Sequence, residues 1–320
     1  MKKICFPYKC FLVLAALLSV GKLPAQQNAD TLYQPDIVSK AYPENNGSLI
    51  YIDQGHQNFH TKDGRFSPFA KLLKQDGYKV EGFEGKFDPK KLRGIKVLVI
   101  SNALSENARP PFTVPTDSAF SEEEISAIED WVRKGGSLFL IADHMPFAGA
   151  SATLGKAFGF GFYDGFLLDE HNRGIFDFSR NNKMLASNFI TNGRNKAESV
   201  DTIRTFTGQG FSLPDGAVSI LELTSGYQIL LPDTMWVFDE NTKRMSAEGL
   251  SQGAVLNYGK GRVAVFGEAA MFTAQLAGAT QTRVGMNAAE ADENFQLLLN
   301  IIHWLDRLYD EDKTNGEKKP

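Results

Sequence analysis

The chain predicts an α/β domain built on a doubly wound, mostly parallel sheet, with an inserted or peripheral β-rich region. Three observations carry that expectation. Apolar runs with little alternation, such as Leu138-Phe139-Leu140-Ile141 and Val263-Ala264-Val265-Phe266, suit strands buried on both faces. Segments with helical spacing lie between such runs and give the β-α-β alternation of a parallel sheet. Several runs also end abruptly in polar residues, and open α/β sheets bind ligands just beyond the carboxyl ends of their strands.

The elements follow in order. Residues 26–45 are polar, carry Pro35 and Pro43, and form an extended lead-in to a single domain over 46–308. A strand over 48–53 runs into a loop with Gly55 and Gly64. A helix from Ser67 to Gln75 then turns Phe69, Leu72 and Leu73 to the core and stops at Gly77. Strands follow over 78–83 and 95–101, then a loop with Pro110, Pro111 and Pro115. Ser121-Glu122-Glu123-Glu124 has the spacing of a capping box, opening a helix whose apolar positions are Ile125, Ile128, Trp131 and Val132. Gly135-Gly136 ends it, and a strand over 137–142 begins at once.

Residues 145–250 form the insertion-rich part, with a small helix at 151–158 and strands at 200–206, 218–223, 227–231 and 235–238. A hairpin joins 253–258 to 262–266 through Gly259-Lys260-Gly261. A helix over 269–275 follows Glu268. A last helix over 288–308 places Phe295, Leu298, Leu299, Ile302 and Leu305 on one face, and 309–320 is a charged tail.

Residues 1–25 read as an export signal: Lys2, Lys3 and Lys9 precede the apolar run Phe11–Val20, and Ala25 ends a cleavage site. That run is half the ~20 residues a bilayer span takes, so no membrane span is expected after its removal. The expected location is periplasmic or extracellular. Both cysteines, Cys5 and Cys10, lie inside the signal, which leaves no disulfide, thiolate ligand or cysteine nucleophile. Loss of Lys2, Lys3, Lys9 and Lys22 with no acidic residue moves the formal charge from −4 to −8. Nucleic acid is therefore not an expected partner, because phosphate binding needs basic patches. A chain of this size builds its core without disulfide staples. Nothing in the sequence addresses the oligomeric state.

Three of the five histidines fall at or just beyond predicted strand ends. Asp53, His56 and His60 form one group. Imidazole and carboxylate at this spacing bind a divalent metal, with Zn, Mn or Fe the candidates, or order the loop through hydrogen bonds. Asp143-His144 follows its strand without a spacer and suits a base with its orienter, two ligands, or a helix cap with a histidine packed on Pro146. Glu268 is a candidate general acid or base, a metal ligand, or a cap for the helix that follows it. Asn58, Asn102, Gln209 and Gln252 lie in loops where amides orient a polar ligand, or are simply solvated. The phenylalanines at 158, 160, 162 and 166 offer rings that stack on a sugar, or, as is commoner for such a set, form core. His171 and His303 look incidental.

The order strand 95–101, helix 121–134, strand 137–142 resembles class I glutamine amidotransferase-like domains, including trehalose-utilisation-type and uncharacterised secreted branches. Asp53-Gln-Gly-His-Gln-Asn-Phe-His60, Ile141-Ala-Asp-His-Met-Pro146 and Phe266-Gly-Glu-Ala-Ala-Met-Phe272 look like signatures of one such branch. The resemblance covers 46–308 and implies a flavodoxin-like, amidotransferase-like fold. It places Ala142 or Asp143 where those enzymes carry their cysteine nucleophile, and Glu268 near their histidine-glutamate pair. Nucleophile and histidine are both missing, so glutamine hydrolysis is not implied. What the resemblance implies is a pocket at the same sheet edge, lined by Asp143, His144 and Glu268. The sequence thus leads to a hydrolase-like enzyme, with or without a divalent metal, acting on a small polar or carbohydrate-derived ligand. The alternatives are a non-catalytic carbohydrate- or peptide-binding domain of the cell envelope and a purely structural module.

Overall fold

A computed structural model describes residues 27–171 and 173–309. The segment expected to be an export signal, 1–25, and residues 310–320 of the expected charged tail lie outside the described residues. Among the described residues no helix is long and apolar enough to cross a membrane.

The main sheet is built from β1 (Leu49–Asp53), β2 (Lys79–Phe83), β3 (Val97–Ser101), β4 (Ser137–Ile141), β5 (Ser251–Tyr258) and β6 (Gly261–Phe266). Strands β2-β1-β3-β4-β6 lie side by side in that order, and all four pairings are parallel. Beyond β6 the sheet turns antiparallel. The hairpin to β5 pairs Tyr258 with Gly261, so its loop is only Gly259-Lys260, and short strands at Phe211–Ser212, Gly161–Phe162 and Val218–Glu222 extend the far edge.

Four helices cover the sheet. On one face α1 (Ser67–Gln75) and α4 (Asn294–Leu305) pack on Ile50, Val99, Phe139 and Phe266. On the other, α2 (Glu122–Arg133) and α3 (Phe147–Ala157) pack on Leu98, Leu138, Val263 and Ala254. Successive residues of a strand point to opposite faces, so a run with no polar member serves both cores. Each fully buried Leu, Ile or Phe in these layers contributes about 1.5–3 kcal/mol. The capping box of α2 forms as its spacing predicts: Ser121 Oγ accepts from the Glu124 amide at 3.3 Å, and the Glu124 carboxylate accepts from the Ser121 amide at 3.1 Å. Phe158, Phe160 and Phe166 are core.

Residues 161–250 are rich in strands. Phe166–Asp169, Tyr227–Leu231 and Lys243–Ser246 form one small antiparallel sheet, and Ile175–Ser179 pairs with Thr202–Phe206. Gln27–Ala29 in the lead-in adds a strand to the hairpin Ala274–Ala277/Thr282–Gly285.

Several elements differ from expectation. Residues 235–238 are not a strand: they turn, with Trp236 in the left-handed region at φ 62°. The helix expected over 269–275 is a single 3₁₀ turn, Ala270–Phe272, because Ala274 to Ala277 pair as a strand instead. The last helix starts at Asn294 rather than 288. Glu293 accepts from the Asp201 and Thr202 amides, and Asn294 bonds both the N–H and C=O of Arg204, so tertiary contacts fix the start. The small helix begins earlier than expected, at Phe147. His303 is not incidental: it is fully buried on α4 and its Nε2 meets the Asp76 carboxylate at 2.6 Å.

Candidate functional site

The carboxyl ends of β1, β3, β4 and β6 come out along one rim, and each delivers polar side chains to it. At the end of β1, Asp53 is fully buried. Its carboxylate accepts from the Gly55 amide at 3.1 Å and from Asn58 Nδ2 at 2.9 Å. His56 Nδ1 lies 3.0 and 2.9 Å from its two oxygens. The other ring nitrogen, Nε2, reaches Glu124 Oε1 at 2.9 Å, and the ring stacks on Phe87. An ionised carboxylate only accepts, so a ring facing two of them donates from both nitrogens and is the imidazolium. Burial opposes that charge, but the bonds and charges of Asp53 and Glu124 outweigh it and hold the His56 pKa above 6.5. On Glu124, burial raises the pKa while bonds from His56, Ser121 and Phe87 bring it below the ordinary glutamate value. His60 stands apart: it stacks on Phe66, meets Ser101 Oγ at 3.1 Å, and burial followed by the Arg65 charge pushes its pKa down to about 3.

These residues do not fit a metal. His56 has no free lone pair while both ring nitrogens donate, and His60 turns to Ser101. Among the described residues no group of three or more histidine, cysteine, aspartate or glutamate side chains is placed to hold an ion. The Asp53-His56-His60 ligand set therefore does not assemble, and the hydrogen-bonded ordering of the loop is what the structure shows.

At the end of β3, Asn102 adopts φ 47°. Its backbone accepts from the Phe59 amide at 3.0 Å, and its side-chain oxygen accepts from the Asp143 amide at 3.0 Å. It thus ties the loop after β1 to the end of β4. With β3 between them, β1 and β4 are two strand spacings apart, roughly 10 Å. Asp53 and Asp143 therefore flank Ser101-Asn102 rather than each other.

The end of β4 meets that of β6. Asp143 is 8% exposed and accepts from the His144 amide at 2.7 Å and the Ala269 amide at 3.4 Å. It does not cap α3, whose N-cap position is Pro146. His144 Nδ1 lies 2.6 Å from the Met145 carbonyl, which can only accept, so Nδ1 carries the proton. In the neutral ring Nε2 then presents its lone pair, 3.9 Å from Asp143 Oδ1. Phe166 stacks on one face of the imidazole and Trp236 meets it edge-on. Glu268 is fully buried, its two oxygens accepting from the Ala270 and Met271 amides at 2.5 and 2.7 Å. That is the capping role, played on the 3₁₀ turn. Burial first, and the Asp143 charge second, push its pKa well above 4.5.

The amide candidates bind the protein's own chain. Asn58 Nδ2 also donates to the Ser101 carbonyl, and its Oδ1 accepts from the His56 amide. Gln209 donates to the Ala142 carbonyl and accepts from the Tyr163 amide. Gln252 donates to the Thr207 carbonyl, leaving its buried Oε1 without a partner. Gln209 and Gln252 thereby hold segment 207–209 down over Gly267. A side chain at Gly208, φ 77°, would strike the Gly267 carbonyl.

A cavity of about 560 Å³ opens over the loops after β1 and β3, lined by Gly55, His56, Lys86, Ser105, Asp117 and Glu124 among others. This is where the sheet order reverses, the usual position of a ligand crevice. Asp143, His144 and Glu268 do not line it, so the expected single pocket resolves into an open cleft at β1/β3 and a more enclosed acid-histidine group at β4/β6. Sequence reasoning missed Glu124 as a site residue, seeing only its capping role. The signal was available, because a helix that follows a parallel strand starts at the rim where that strand ends. Asp164, half-buried and with its pKa raised by desolvation, and Trp236 beside His144 were also missed.

No protein-family profile matches the chain, and no curated protein matches its sequence. Among solved structures, the mmIFT52 N-terminal domain aligns with a TM-score of 0.55 at 14% identity, over 80% of this chain and 97% of that one. A GMP synthase subunit-like protein from Thermoplasma acidophilum gives 0.42 at 13% identity, over 84% and 98%. A ThuA-like protein from Bacteroides uniformis gives 0.40 at 12% identity, over 85% and 95%. The mmIFT52 likeness is one of fold alone.

Proposed function

We propose that the parallel half of the sheet is a doubly wound, flavodoxin-like unit, and that the protein is an exported acid-base enzyme of the hydrolase type. Its substrate is a small, neutral, polar or carbohydrate-derived molecule. The observation that carries this reading is the Asp143-His144-Glu268 group. Neighbouring carboxylates with unlike environments, beside an imidazole with a fixed tautomer, are the arrangement that supplies an acid and a base at one pH. Asp143 and His144 Nε2 hold and move the proton, and Asp143 stabilises the imidazolium once formed. Glu268, sealed behind them and favouring its neutral form, acts through Asp143 as a positioning residue. Binding at the same rim without turnover is the second reading, favoured by the complete enclosure of Glu268 and by the open cavity at β1/β3.

The test is a panel of p-nitrophenyl glycosides and acyl esters, assayed with the purified protein from pH 4 to 9. Turnover by the wild type, lowered about 10²–10⁴-fold in His144→Ala and Asp143→Asn, supports the enzyme. Saturable ligand binding with no turnover across the panel supports the binding module and removes the enzyme. Fractionation of expressing cells tests export separately.

A further inference from the structure

Trp236 has no role in the chemistry above, yet its position is unusual. It is a bulky residue with φ 62° that remains 53% exposed. Left-handed backbone is disfavoured for such a residue and persists only where surrounding contacts over-determine it. Those contacts are present. Thr234 bridges to Thr113, the Met235 amide donates to the Phe112 carbonyl, and the Val114 amide donates to the Asp233 carbonyl. Two long loops are thus fastened together across the mouth of the β4 end. The Trp236 ring sits 4.8 Å from His144 and 4.4 Å from Phe166, with Phe238 edge-on at 6.2 Å. Phe238 is 38% exposed. Water-facing aromatic surface therefore stands beside the one imidazole nitrogen of the group that is free to take a proton.

We propose that Trp236 is a stacking platform for a neutral pyranose ring, holding a hydroxyl or glycosidic oxygen over His144 Nε2. The proposal rests on the acid-base reading of that site and names its substrate class. A sugar ring offers one apolar C–H face and a rim of hydroxyls, and it is matched by a flat aromatic surface next to hydrogen-bonding groups. Asp143 and Asp164 lie around His144, which disfavours an anionic ligand. A cation held in an aromatic box is the competing chemistry. The geometry favours the sugar: Phe166 is fully buried, with its ring taken by His144 and Trp236, so the exposed aromatic surface is a platform rather than a box.

The experiment is titration of the full chain with glucose, galactose, mannose, maltose and cellobiose, followed by tryptophan fluorescence and by calorimetry. Choline chloride serves as the cation probe. The other two tryptophans, Trp131 and Trp304, pack against Ile95 and Phe189 and do not border His144. At least one saccharide is expected to shift the emission of the wild type but not of Trp236→Ala. Affinity should fall about three- to tenfold in Trp236→Ala, recover in part in Trp236→Phe, and change with no loss of melting temperature. Saccharide binding unchanged in Trp236→Ala overturns the platform, as does an absence of binding by any saccharide. A response to choline alone overturns it in favour of the cation. His144→Ala separates the two proposals. If it abolishes turnover while the sugar-induced emission shift remains, both stand; if the shift is seen and no variant or wild type turns over, the platform stands and the enzyme does not.

Discussion

Replacing His56 with alanine should be among the costliest single changes at the rim. The ring makes two charged links, one to Asp53 and one to Glu124, each at 2.9 Å. Hydrogen bonds to charged groups contribute about 1.5–3 kcal/mol each. Removing the central cation also leaves two buried carboxylates, and breaking such a pair costs about 3–5 kcal/mol. Both acids keep other donors, however: Asp53 retains the Gly55 amide and Asn58, and Glu124 retains the Phe87 and Ser121 amides. The cost therefore belongs near the lower end, about 3 kcal/mol, a large part of the 5–15 kcal/mol typical of a folded domain. The sign with pH follows from the two shifts. His56 is raised, so its contribution is complete below 6.5 and is lost as pH climbs through the folded value. Glu124 is lowered, so its contribution is present above 4.5 and is lost as pH falls through the folded value. The wild type should accordingly exceed His56→Ala by most at about pH 5–6 and by less at pH 9. Urea unfolding at both values measures it, with a midpoint shift of about 1 M at the lower pH given a slope near 3 kcal/mol/M. A cost under about 1 kcal/mol, or one larger at pH 9 than at pH 6, would refute the clamped imidazolium.

Two further outcomes test the rim. Glu268 has a raised pKa, so the unfolded chain releases its proton first, and stability falls as pH rises from 4.5 toward the folded value; Glu268→Gln should flatten that part of the pH profile of the melting temperature, and an unchanged slope would contradict it. Asn102 combines a left-handed backbone with a bond to the Asp143 amide; Asn102→Ala should lose about 2–3 kcal/mol in urea unfolding, and Asn102→Gly about 1–2 kcal/mol less than that, since only alanine meets the backbone penalty.

How far the sequence could be read depends on whether the information was local. The helix Ser67–Gln75 and the Ser121/Glu124 capping box appear as expected because spacing and capping chemistry act within a turn or two. The strands of the parallel sheet were legible because burial on both faces leaves continuous apolar runs. The start of α4 was not, since Glu293 and Asn294 are fixed by residues about 90 positions earlier in the chain. The same holds for the His56-Glu124 link, which joins residues 68 apart. Residues 235–238 look like a strand by composition, and it is the links of Asp233, Thr234 and Met235 to the distant segment 112–114 that set Trp236 beside His144. The histidine pair four residues apart invited a metal, but the spacing carried no information about which carboxylates the loop would bring to His56.

A carboxylate at the end of a parallel strand has work to do before any chemistry, because the chain turning away from the sheet exposes backbone amides that need acceptors. Asp53, Asp143 and Glu268 each accept from amides just beyond their strands. Acidity at the rim is therefore weak evidence of catalysis by itself, and what distinguishes the acids is charge state and access. The Asp53-His56-Glu124 clamp is electrostatically complete, with an imidazolium between two carboxylates, and offers a substrate neither a lone pair nor an acidic proton it can surrender cheaply. Glu268 is sealed. Asp143 retains some exposure and stands beside an imidazole whose outer nitrogen is unbonded and whose cover is held in strained backbone. On the proposed acid-base reading, proton transfer is accordingly concentrated at Asp143 and His144, and substitution of Asp53 or His56 should reach activity only through the position of Asn102 and the stability of the loop.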